Sequence, residues 1–243
     1  MLKLSEQVHV LQLPMVIRGQ ENTIHPTLLL DAENGATLVD TGVPGSKAKI
    51  EQELSGIGLH LADLKRIVLT HQDLDHVGSL SDLLKEHPAH TLAHQIEIPY
   101  INGTQRPIKF PTEQMFENVP GLREAMARYV YPQIAEGLQD GQVLNIAGGV
   151  QVVFTPGHTP GHISLYLPKD QILIAGDALT AQGGVLNMPM PSATPDYETA
   201  RASVRKLAEL DVQTIVCYHG GLVTENANEQ LQRLAQSTLE TQA

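Results

Sequence analysis

A single cysteine, no tryptophan, only three phenylalanines and few cations mark this 243-residue chain. Nor does any apolar run approach the roughly 18 residues needed to cross a bilayer. The lone Cys217 excludes an intramolecular disulfide. Aromatics make up 4% and hydrophobic residues 42%, so the core must be built from aliphatic side chains. Sixteen Lys and Arg stand against 27 Asp and Glu, a formal charge of −11, and no basic stripe concentrates those cations. A nucleic-acid backbone is therefore not an expected partner. Met1 is followed by Leu-Lys-Leu-Ser-Glu rather than a basic-then-apolar leader, so a reducing cytoplasm is the expected compartment and a membrane is not an expected partner. What the chain does have is histidine, eleven in all.

The length fits one domain spanning 1–243. Short runs rich in Val, Ile and Leu alternate with helix-like stretches, which predicts interspersed strands and helices. Strands are expected over Val8–Leu13, Thr27–Asp31, Thr37–Thr41, Lys65–Thr70, Thr91–Ala93, Val150–Thr155, Ile163–Leu167, Gln171–Ala175 and Thr214–Tyr218. Helices are expected over Ser46–Leu54, with a left-handed cap near Gly56 and Gly58, over Gly78–Glu86, stopped by Pro88, and over Thr199–Leu210. The stretch 102–139 carries four prolines, and Leu122, Met126, Tyr129, Val130 and Ile134 follow at the spacing of one helix face. That face either packs on the body or caps a substrate, and 102–139 is marked as a candidate cap insertion; Ile108, Phe110, Met115, Phe116 and Tyr129 would suit an apolar acyl or alkyl group. This pattern suggests a two-sheet sandwich flanked by helices, and periodicity alone also permits an open α/β sheet.

Four segments follow apolar strands directly: Thr70-His71-Gln72-Asp73-Leu74-Asp75-His76, Thr155-Pro156-Gly157-His158-Thr159-Pro160-Gly161-His162, Gly176-Asp177-Ala178 and Tyr218-His219-Gly220-Gly221. Strand ends open onto loops, where functional side chains are presented. Together they offer imidazoles and carboxylates without thiolates, a donor set that suits zinc, iron or manganese in a hydrolytic site. Two His and two Asp within six residues are costly to bury unpaired, and a metal supplies the missing positive charge.

These motifs, with Thr37-Leu38-Val39-Asp40-Thr41-Gly42 ahead of them, resemble the metallo-β-lactamase-fold superfamily, which includes lactamases, glyoxalase II-type thioesterases and lactonases. The resemblance runs from that early strand to His219. It implies an α/β fold, a four-layer αβ/βα sandwich of two mixed β-sheets flanked by helices, with the metal site at one edge. In the family's first motif the order is His-x-His-x-Asp-His, and this chain has Asp73 where the second His is expected. Carried over position by position, His71 and His158 hold a first metal with Asp73 as third ligand, Asp75, His76 and His219 hold a second, and Asp177 bridges. His162 resembles the family's supporting histidine, and Asp40 is placed to orient a ligand or shape a turn. His9, His25, His60, His87, His90 and His94 match no motif and are assigned to surface or packing, and Cys217 to the core.

The implied cofactors are two divalent metal ions, zinc by resemblance. Asp73 shifts the expectation toward manganese or iron, because a third carboxylate cancels the net positive charge that the usual ligand set leaves. The expected function is a dinuclear hydrolase in which a metal-bound hydroxide attacks an ester, lactone, thioester or phosphoester, with Asp75 as the catalytic residue that orients the nucleophile and relays its proton. The partner is a small-molecule substrate, and a homodimer is compatible with the sequence. The superfamily's lactonases carry Tyr three residues after the bridging Asp, whereas this chain has Thr180, leaving Tyr129 or Tyr197 to supply that role. The rival readings are a mononuclear-iron persulfide dioxygenase on the same fold and a non-catalytic metal-binding protein.

Overall fold

The structure is a computed structural model, and it describes residues 1–17, 19–118 and 121–240. Among these residues, a seven-stranded sheet runs in the order Leu2–Lys3, Val8–Val10, Thr27–Leu29, Ala36–Val39, Leu64–Leu69, His90–His94 and Glu136–Leu138. Its first three pairings are antiparallel and the last three parallel, so the sheet is mixed. A six-stranded sheet runs Val143–Leu144, Val150–Phe154, Ile163–Leu167, Ile172–Gly176, Thr214–Cys217 and Gly221–Val223. Its one parallel pairing, Ile172–Gly176 with Thr214–Cys217, is crossed over by the helix Tyr197–Leu207.

Side-chain alternation along the strands builds the layers. From the first sheet Val8, Val10, Val39 and Val68 meet Val152, Leu165, Ile174 and Val216 of the second, forming the core between the sheets. One residue along, Leu38, Ile67 and Leu69 turn the other way and pack with Ile50 and Leu54 of the helix Lys47–Ser55 and Leu80 and Leu83 of the helix Leu80–Glu86. On the far side, Leu173, Ile215 and Cys217 pack with Val204 and Leu207 of Tyr197–Leu207 and with Leu231 and Ala235 of the helix Ala227–Glu240. The result is the expected αβ/βα sandwich of two mixed sheets. No helix among the described residues is long and apolar enough to cross a membrane.

Local outcomes refine the sequence reading at several places. The first strand ends at Val10, and Leu13–Ile17 pairs with Gln20–Ile24 as a hairpin, which the reading missed because Gln20 to Thr23 are polar and exposed. Of the two glycines expected near the left-handed end of the helix Lys47–Ser55, it is Gly58 that takes it, at φ 78°, while Gly56 stays right-handed. The helix from Leu122 stops at Arg128 and Tyr129 is extended; in a continued helix Pro132 would offer no N–H to the Arg128 carbonyl and its ring would clash with it. Asp196 caps the helix Tyr197–Leu207 through the Thr199 N–H, so this helix starts two residues early.

Candidate metal centre

The four motifs meet at one edge of the sandwich because their strands end there. His71 follows the strand Leu64–Leu69, His158 follows Val150–Phe154, Asp177 follows Ile172–Gly176 and His219 follows Thr214–Cys217. Backbone bonds stitch the two sheets at this edge: the Ile163 N–H donates to the Thr70 carbonyl at 3.0 Å and the His25 N–H to the Tyr218 carbonyl at 3.1 Å.

Two candidate ligand sets result. His71, His158 and Asp177 form one and Asp75, His76 and His219 the other, each with its candidate atoms within 4.8 Å of one another. They abut through Asp177, whose Oδ2 lies 3.3 Å from His158 Nε2 and 3.4 Å from His219 Nε2, while Oδ1 lies 3.3 Å from His76 Nε2. Asp75 Oδ2 is 3.1 Å from His219 Nε2. Asp73 falls outside both sets, yet its Oδ2 is 3.3 Å from His71 Nε2 and 3.0 Å from His158 Nε2, so it faces the first set.

Supporting residues fix these side chains. Asp40 accepts the Thr70 N–H and hydroxyl at 2.8 Å each and the His76 Nδ1–H at 2.9 Å. Its backbone is left-handed, φ 63°, an uncommon conformation for a side chain other than glycine. His162 Nε2 accepts the Asp177 N–H at 2.9 Å, and its Nδ1 lies 2.9 Å from Thr155 Oγ1, so it braces the loop beneath Asp177 without facing the ligand atoms. The Tyr218 ring stacks on His76 at 3.7 Å, and its hydroxyl donates to the Asp75 carbonyl at 2.5 Å.

Two residues here carry no sequence motif. Glu97, fully buried, accepts the Gln72 N–H at 2.8 Å, the Gln72 side-chain amide at 3.0 Å and the Gly161 N–H at 2.7 Å, tying the His71 loop to the His158 loop. Lys109 reaches Asp73 from the 102–139 stretch. Only their position, across 25 and 64 residues for Glu97 and 49 for Lys109 and His158, reveals them. His9, His25 and His94 are buried, His87 is half-buried, and His60 and His90 are exposed; His94 stacks on Phe154 at 4.5 Å.

The electrostatics favour a bound cation. Burial alone would raise the Asp177 carboxyl, but His219 and His76 hold it well below the usual range. Burial likewise opposes ionisation of Asp73, and His71, His158 and Lys109 hold it well below. Burial pushes His71 down to about 4, with His76 adding to the effect, so His71 offers a neutral lone pair. Against burial, Asp177 and Asp75 raise His219 to about 10, the mark of a strongly negative field. His71 Nε2, His76 Nε2, Asp73 Oδ1 and Asp177 Oδ1 are buried with no hydrogen-bond partner. Buried polar atoms left in this state are costly, and these converge as imidazole nitrogens and carboxylate oxygens, so the residues fit a divalent metal.

An αβ/βα sandwich that gathers such a donor set at its strand ends is the frame of a metal-dependent enzyme, and the chain's relatives make it a metal-dependent hydrolase. The chain belongs to the metallo-beta-lactamase superfamily, whose sequence profile matches residues 22–219. It is 30% identical over 213 residues to the probable metallo-hydrolase YflN of Bacillus subtilis, covering 82% of this chain and 80% of that one. It is 33% identical over 207 residues to hydroxyacylglutathione hydrolase GloC of Haemophilus influenzae, covering 82% and 86%. Among solved structures, the metallo-beta-lactamase family protein TTHA1429 of Thermus thermophilus shares the fold with a TM-score of 0.75 at 24% identity, covering 98% of this chain and 81% of that one.

Proposed function

We propose that this metallo-hydrolase is dinuclear and cleaves an ester, lactone, thioester or phosphoester of a small molecule, with Asp75 as its proton-handling residue. The observation that carries the proposal is the abutment of the two ligand sets through Asp177, which touches His158, His76 and His219. His71, His158 and Asp177, joined by Asp73, would hold one ion, and Asp75, His76 and His219 the other. Two divalent ions, zinc by kinship, supply when bound a water acidic enough to act as nucleophile near neutral pH and a Lewis acid for the attacked oxygen.

The chain's own residues do the rest. Asp75 Oδ2 sits at the second set, and the Tyr218 hydroxyl pins its main chain, so the carboxylate can take the water's proton and release it to the leaving group. Beside Asp73 lies an apolar pocket lined in part by Val77, Ile101, Phe110, Met126 and Tyr129. Its volume, about 20 Å³, is that of a single water, so the residues around Phe110 and Tyr129 pack onto the body here and enclose no room for an acyl or alkyl group. Of the residues expected to cap a substrate, Phe110 and Tyr129 line this seam, while Ile108 and Met115 are exposed. Thr180 donates to the Met188 carbonyl at 3.1 Å and the Tyr129 hydroxyl to the Val77 carbonyl at 3.4 Å, so both hydroxyls are engaged with the main chain.

A panel of p-nitrophenyl esters, a homoserine lactone, a hydroxyacyl glutathione thioester and a phosphodiester, each with zinc, manganese or iron(II) added, tests the proposal. The kinship with GloC supports including the glutathione thioester. Turnover of one class, lost on chelation, is the expected result. No turnover of any class in the fully loaded protein contradicts it, and oxygen consumption with glutathione persulfide would assign the dioxygenase reading instead.

A further inference from the structure

The side chain of Lys109 enters the first ligand set from outside the four motifs. Its Nζ lies 2.5 Å from Asp73 Oδ2 and 2.6 Å from His158 Nε2, and it donates to the Ala193 carbonyl at 3.0 Å. The main chain beside it is tied down as well. The Ile108 N–H donates to Gln72 Oε1 at 2.8 Å, and Gln72 is held in turn by Glu97, so the strap carrying Lys109 is bonded to the loop carrying His71 and Asp73. Lys109 is thus a built component of this corner.

Residue 73 is where the chain departs from the superfamily's first motif, with a carboxylate in place of a neutral imidazole. That change adds one negative charge to the corner, and the Lys109 ammonium returns one positive charge at contact distance. Both changes are local, and they cancel.

We propose that Asp73 and Lys109 act as one unit that replaces a neutral ligand at the His71–His158 corner, so that residue 109 sets the metal affinity of that corner. The inference rests on the metallo-hydrolase reading of the site. His158 Nε2 has one lone pair, which serves either the ammonium or a metal. The ammonium retains Asp73 Oδ2 and the Ala193 carbonyl when His158 turns to a metal, and Asp73 Oδ1, buried without a partner, remains uncommitted. Without Lys109 the corner is more anionic and should hold a divalent ion more tightly. With His at 73 the ammonium faces the ion uncompensated and should weaken it.

A double-mutant cycle tests this with wild type, Lys109→Met, Asp73→His and the double variant. Zn(II) affinity at each site is read by competition with a chromophoric chelator and stoichiometry by native mass spectrometry. Lys109→Met should tighten the corner about tenfold, Asp73→His should weaken it by about tenfold, and the double variant should return to within about threefold of wild type. Lys109→Arg, which keeps the charge, should stay near wild type. Far-UV circular dichroism confirms that each variant is folded. A Lys109→Met affinity equal to wild type, or no Zn(II) at this corner in any variant, overturns the proposal. So does a double variant as weak as Asp73→His alone. Because the readout is metal binding, a protein that binds two ions and hydrolyses nothing would sink the hydrolase assignment while leaving this coupling measurable.

Discussion

The carboxylate of Asp40, on a left-handed backbone at φ 63°, receives the Nδ1–H of His76 at 2.9 Å and thereby turns the Nε2 lone pair of His76 toward Asp177. The same carboxylate anchors Thr70, the residue before His71, so one side chain braces both candidate ligand sets.

Asp40→Asn should therefore lower metal affinity by about 10- to 100-fold, the usual effect of losing a partner behind a ligating histidine. Asn tolerates the left-handed backbone, so the fold should survive. Chelator competition with a parallel thermal melt checks both halves, and wild-type affinity would remove Asp40 from the account.

Asp75→Asn removes the proposed proton carrier while keeping the side chain's shape. Turnover should fall by at least about 10²-fold. Steady-state kinetics on whichever substrate the panel identifies provides the test, and a wild-type rate would sink the role given to Asp75.

Much of this site was legible in the sequence because its parts are local. His71, Asp75 and His76 lie within six residues, and His158, Asp177 and His219 each follow a strand of aliphatic residues. The layer order was less so: periodicity left an open sheet in play, and the resemblance decided for a sandwich. Glu97 and Lys109 were invisible because a lone Glu and a lone Lys are ordinary surface residues until the fold brings them beside loops far away in the chain. The Leu13–Ile24 hairpin was missed for a related reason: its outer strand is polar and shows no alternation to read.

Glu97 should leave a signature in the pH dependence of stability. Burial holds its carboxyl above the ordinary 4.5, although the bonds from Gln72 and Gly161 oppose this. The folded chain therefore keeps a proton that the unfolded chain releases. The resulting stability is full below the unfolded value and is lost as pH rises through the raised folded value. Urea melts of wild type and Glu97→Gln across that window should differ in slope, with the variant flatter. The substituted side chain would also turn an amide N–H toward donors and destabilise the chain by about 2 kcal/mol. Parallel curves for the two proteins would contradict this.

Gly157, in the loop that presents His158, has φ 128°, and a Cβ there would sit 2.3 Å from the Ala200 backbone nitrogen. Gly157→Ala should cost about 1–3 kcal/mol in backbone strain alone and displace His158. A lower thermal midpoint together with loss of one metal equivalent is expected. An unchanged midpoint and stoichiometry would show that the close approach does not constrain the loop.

The central claim is tested most directly by titrating chelator-stripped protein with Zn(II) while following bound metal and hydrolytic rate in the same samples. The account predicts two equivalents per chain and a rate that rises with them to a plateau. Full hydrolytic activity in the stripped protein, or saturation without any hydrolysis, would contradict it.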